Sequence, residues 1–209
     1  MSIYVVALTD TPVGKERSGD RAVHTVGTKG VYAVCERRTT LPSVTDEELR
    51  AQHTLVLDIA RRVGAILPVR FGTLMDKPEL LTFLREHREE ITRSLAEVRG
   101  RVQMTLRITG RRRQVHRPAP SSGREYLERR RQATAPVVPR RARALLASLT
   151  PIVARERLEP GAGDLLATVY HLIESADVPR YTRTVQKAAR PGTIMTGPWP
   201  PFAFTPKLT

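Results

Sequence analysis

The chain has 209 residues, of which 40% are apolar, and a formal net charge of +14 at pH 7. That length allows one domain or two modest ones, each able to bury a core. No apolar run approaches the ~20 residues that span a bilayer, the opening MSIYVVALTDTPVG lacks the regions of a signal peptide, and a lone cysteine, Cys35, excludes an internal disulfide or a cysteine-built metal site.

These features fit a cytoplasmic protein. Ser2 to Leu8 is short, β-branched and apolar, which predicts a buried strand. Residues 10–28 are rich in Thr, Gly, Asp and charge and read as a loop. Gly30 to Glu36 predicts a second strand, in which Cys35 is a packed structural thiol. SVTDEELRAQ then signals a helix start, with Thr45 and Glu48 spaced for a reciprocal capping box. Leu49, His53, Val56, Leu57, Ala60 and Val63 repeat at helical spacing, and Gly64 is placed to supply a left-handed stop. His53 lies on this stripe without a second ligand at i+4, so it reads as a packing histidine.

AILPVRFGT predicts a short strand running into a turn at Gly72. A long helix starts near Pro78, carries Leu80, Leu84, Ile91, Leu95 and Val98 on one stripe, and ends at Gly100. RVQMTLRIT alternates, with Val102, Met104, Leu106 and Ile108 on one side, as in a half-buried strand. Residues 1–109 therefore form an N-terminal α+β domain of sheet and helices. GRRRQVHRPAPSS, residues 110–122, has the charge, proline and serine of a linker. Residues 123–209 predict a smaller α+β domain: a helical stretch interrupted near Pro136 and Pro139, strands at Val153–Leu158 and Asp164–Ile173, a helix over 177–189, and a short strand at Thr193–Met195.

The charge is local. Residues 1–109 carry 17 basic and 14 acidic side chains, whereas residues 110–143 carry eleven arginines against Glu125 and Glu128. That segment is either a solvated linker with an exposed helix face or a binder of phosphate or an acidic protein surface. A nucleic-acid-binding module using residues 110–143 is thus the alternative function, and the scarcity of stacking aromatics weighs against it. No histidine pair, HExxH, Walker loop, GxGxxG or GxSxG is present, so neither an enzyme nor a cofactor is indicated. The closing TGPWPPFAF places three prolines, the only tryptophan and two of the four phenylalanines within Thr196–Phe204. Proline stiffness and aromatic area favour packing, either as a clamp on the chain's own core or as a docking surface for another protein.

PVRFGT (Pro68–Thr73), SSGREYL (Ser121–Leu127) and TGPWPPFAF occur in an order that resembles the gas vesicle GvpF/GvpL family over nearly the whole chain. The chain departs from that family at Gln103, where a glutamate is usual, and at Phe202, where a tyrosine is common. The resemblance implies an N-terminal α+β domain and a C-terminal domain of modified ferredoxin-like fold. It also implies a non-enzymatic, cytoplasmic assembly factor or minor structural component of gas vesicles. Its partners would be the main apolar shell protein and other accessory proteins, with no membrane. Carried onto this sequence, the family motifs are Arg70, Phe71, Gly72 and Thr73; Gly123 and Tyr126; and Thr196, Gly197, Pro198, Trp199, Pro200, Pro201 and Phe202. Each of them is a candidate for a structural or a partner-binding role.

Overall fold

A computed structural model describes residues 2–14, 16–18, 21–28, 30–38, 40–110, 122–124 and 138–206. The chain divides into two compact units, residues 1–103 with 199–209, and residues 104–198. Most of the 110–122 linker, the arginine run 129–131 and Tyr126 lie outside the described residues.

The first unit is built on a sheet of strands β1 (Ser2–Thr9), β2 (Glu16–Ser18), β3 (Arg21–Thr28), β4 (Val31–Arg37), β5 (Ile66–Pro68) and β6 (Leu74–Asp76). Its order is β2-β3-β4-β1-β5, with β6 also paired to β1. Residues Ile3 to Thr9 of β1 are buried at every position, so both faces of this strand are covered. Helix α1 (Asp46–Ala60) lays Leu55, Val56 and Ile59 against Tyr4, Val6, Val23 and Val34 of the sheet. Cys35 is fully buried in β4, and burial pushes its thiol up to about 12, as expected for a packed and unreactive group.

The segment read as a loop, residues 10–28, instead contains β2 and β3. Strand β3 pairs with β4 through Val23–Glu36 to Thr28–Val31. Its sequence RAVHTVGT hides the strand because polar His24 and Thr25 separate the buried Val23 and Val26, which breaks the apolar alternation. Gly27 is fixed by its surroundings: φ is +134°, and an added Cβ would lie 2.4 Å from the Val31 carbonyl oxygen.

Three helix-end expectations are resolved differently. Thr45 accepts from the Glu48 amide, but the Glu48 carboxylate turns to Arg21 and Arg38 rather than back to the cap. Gly64 is not left-handed, since α1 ends at Ala60 on a right-handed Arg61. Its missing side chain matters elsewhere: a Cβ would stand 3.1 Å from both Asp10 Oδ2 and Arg99 Nη1, an ion pair 2.6 Å long. The long helix is two, α2 (Lys77–Glu86) and α3 (Arg88–Val98), broken at His87 with no glycine or proline to announce it. Its apolar stripe holds nonetheless, with Leu80, Leu84, Ile91, Leu95 and Val98 all buried. Gly100 does close it, at φ +70°.

The second unit is built on β7 (Arg101–Thr109, from Met104 on), α4 (Arg140–Leu149), β8 (Val153–Pro160), β9 (Leu165–Glu174), α5 (Val178–Ala188) and β10 (Thr193–Trp199, up to Pro198). Sheet order β10-β7-β9-β8 with this succession is the βαββαβ, ferredoxin-like arrangement. Strand β7 alternates less than the sequence implies, because Gln103, Met104, Thr105 and Leu106 are all buried. The helices turn Ala142, Leu145, Leu149, Tyr181 and Val185 inward. At the β8–β9 turn only glycine fits at 161, where a Cβ would lie 2.1 Å from the Leu165 carbonyl oxygen. The last strand extends beyond the expected Met195 to Trp199.

Candidate functional site: the RFGT loop and the aromatic tail

The RFGT motif interrupts a sheet edge. Strand β5 pairs with β1 over Ala7–Thr9 and β6 pairs with it over Ser2–Tyr4. Val69 to Thr73 therefore face only Val5 and Val6, and the surplus chain loops outward. The loop is pinned at both ends, Val69 N–H donating to the Val6 carbonyl and Val5 N–H to the Thr73 carbonyl. Thr73 adds a hydroxyl bond to the Arg70 carbonyl at 2.8 Å. Gly72 sits at φ +86°, where a side chain would be strained.

Tyr4 organises this loop from inside. Its hydroxyl accepts from the Gly72 amide at 3.1 Å and donates to Gln52 Oε1 of α1. Phe71 meets the Tyr4 ring edge-on with centroids 6.3 Å apart, and the Arg38 guanidinium lies 5.4 Å over the same ring. Burial raises the Tyr4 pKa, so the hydroxyl stays neutral. Around it, Arg21 and Arg38 share Glu36 and Glu48, with Arg38 at 2.9 Å from Glu36 and 3.2 Å from Glu48. Burial pulls the Glu48 carboxyl upward, but the two arginine hydrogen bonds outweigh it and hold the pKa below the usual value. Arg70 itself is exposed and makes no ion pair among the described residues. The motif is therefore a scaffolded loop that offers one outward cation.

The tail reaches the same region of the first unit. His53 of α1 takes the Trp199 ring edge-on at 5.2 Å and stacks on Phe202 at 5.9 Å and 22°. Its neighbour Gln52 holds Tyr4. Pro200 and Pro201 are buried, and Phe204 is 5% exposed. Gln103 is buried and accepts from the Ala203 amide at 2.7 Å, while the Thr205 hydroxyl donates to the Pro68 carbonyl at 3.0 Å. Gln103 thus supplies a side-chain acceptor without burying a charge. Phe202 remains 39% exposed, and Leu49, one helical turn before His53, is 40% exposed.

The structure therefore brings two of the three motifs together. The loop reaches Gln52 of α1 through Tyr4, the tail reaches His53 of the same helix, and Thr205 bonds Pro68, whereas Thr196, Gly197 and Pro198 belong to the second unit. Gly197 has φ +120°, and its bond to Pro198 is cis. Gly123 is exposed and helical, at the edge of the described residues. Tyr4, Gln52 and Arg38 escaped the sequence reading; only their place on elements beside the motifs could have flagged them. No group of three or more His, Cys, Asp or Glu able to hold a metal is present among the described residues. None of the described helices is long and apolar enough to cross a membrane.

Two α+β units, the second ferredoxin-like, define a fold class shared with solved gas vesicle proteins. The GvpF structure from Anabaena sp. PCC7120 matches at TM-score 0.74 and 10% identity, covering 98% of each chain. GvpF from Microcystis aeruginosa matches at 0.72 and 12% identity, covering 98% of this chain and 99% of its own. No curated protein sequence matches the chain. The family model "Gas vesicle synthesis protein GvpL/GvpF" matches residues 2–206, and the chain belongs to that family.

Proposed function

We propose that this protein is a non-catalytic gas vesicle assembly factor or minor structural component that holds the main apolar shell protein during vesicle formation. Family membership supports the gas vesicle role. The single observation that favours contact-making is the half-exposed Phe202, held outward on a tail whose Trp199 and Phe204 are anchored. An apolar subunit that aggregates when uncovered needs such a surface before it joins the shell. A rigid aromatic ring supplies contact area at low entropic cost because its backbone is already fixed. Arg70 adds an outward guanidinium suited to a carboxylate on the same partner. Other accessory proteins of the vesicle are further partners, and the site of action is the cytoplasm, at the growing vesicle.

Deleting the gene from a vesicle-forming host tests the role. Microscopy should then show few or malformed vesicles, restored by the wild-type gene. Normal vesicles in a host without a second family member would overturn it.

A further inference from the structure

The second unit contains a buried polar relay that the motifs do not use. His171 of β9 is 1% exposed. Its Nδ1 lies 2.7 Å from the Tyr181 hydroxyl of α5, and its Nε2 lies 2.9 Å from Glu156 Oε2 of β8. Tyr181 is fully buried, and the two rings meet edge-on at 5.7 Å. One imidazole therefore ties a helix to two strands.

Chemistry fixes the proton positions. The Glu156 carboxylate offers acceptor oxygens to the ring, so Nε2 carries the hydrogen. Nδ1 is then the acceptor, and Tyr181 donates to it. In this state every polar atom of the His171–Tyr181 contact is satisfied. A second proton on the imidazole would turn Nδ1 into a donor. The Tyr181 hydroxyl would have to rotate and accept, and its own hydrogen, buried with it, would lose His171 as acceptor.

We propose that His171 is an acid-sensitive latch: at neutral pH it docks α5 on the β8–β9 hairpin, and its protonation undocks the helix. The groups facing it bear this out. Among the described residues Glu156 from β8 is the charge that acts on the ring, and Tyr181 is its partner from α5. Arg155 and Arg157 pair in register with Leu172 and Tyr170, so they point to the opposite face of the hairpin. Arg180, Arg183 and Lys187 of α5 are exposed, as are Arg140 and Arg143 of α4, the helix packed beside it. Burial lowers the His171 pKa, and Glu156 opposes this without cancelling it. The sign follows: with the folded-state pKa below its unfolded value, the latch is fully closed above about pH 6.5. Its contribution falls as pH drops below that value, because the open state takes up the proton first.

The test uses the full chain, with amide hydrogen exchange of α5 followed from pH 7.5 to 5.0 and corrected for intrinsic rates. Where the open state is protonated and the closed state is not, the opening constant rises tenfold per pH unit. The control is His171→Gln, whose amide can donate to Glu156 and whose carbonyl can accept from Tyr181, and which does not titrate. Wild type should lose α5 protection on acidification, while His171→Gln keeps a flat profile. Equal acid sensitivity in both chains overturns the latch. If the variant fails to fold, the imidazole resonance of wild-type His171 decides the matter: titration below 6.5 supports the latch, and titration above it overturns it.

Discussion

Replacing Tyr4 by alanine should destabilise the first unit by about 3–5 kcal/mol, the range for removing a buried aromatic ring. The ring is fully buried, and it lies against Phe71, Arg38 and the α1 core. Tyr4→Phe isolates the hydroxyl. It keeps the packing but leaves the Gly72 amide without its acceptor and Gln52 Oε1 without its donor, at a cost of about 1–3 kcal/mol. Arg70→Ala should change stability by about 0.5 kcal/mol or less, since its side chain is exposed. Chemical denaturation of the three variants checks the ranking. A Tyr4→Phe variant as stable as wild type would show that the hydroxyl does not hold the RFGT loop.

The second large effect concerns the tail. Phe204 is 5% exposed, so Phe204→Ala should cost about 3–5 kcal/mol. Phe202 stacks on His53 but is 39% exposed, and its truncation should cost much less. The two rings stand two positions apart in one short turn, yet they separate anchoring from presentation. Denaturation midpoints of the two variants measure the difference. Equal losses would mean that both rings serve the core.

Much of the fold was legible because apolar spacing is a direct consequence of burial. The stripe of α2 and α3, the strand around Cys35 and the β8–β9 hairpin follow from it, whereas α1 buries Gln52, Leu55, Val56 and Ile59 and, of its expected stripe, only Val56. Strand β3 was not legible, because a short strand of mixed polarity between turn residues carries the same letters as a loop. The break at His87 has no local signal either, and β6 is too short for a period to show. The site divides in the same way. PVRFGT and TGPWPPFAF stood out as stiff, unusual segments, but their meeting around α1 depends on contacts such as Pro68–Thr205 and Gln103–Ala203. Those join residues far apart in the chain through single hydrogen bonds, which leave no periodic trace. Tyr4 looked like any apolar strand residue, since its role rests on a hydroxyl that reaches the Gly72 amide.

The central claim is that the tail is anchored on its own unit while Phe202 is presented to the apolar shell protein. Co-purification of the main shell protein with Phe202→Ala, set beside the thermal stability of that variant, tests it most directly. The expected result is a folded protein with near wild-type stability and at least ~tenfold weaker capture, the loss of one well-placed contact. Undiminished capture by a variant shown to lack the Phe202 ring would contradict it.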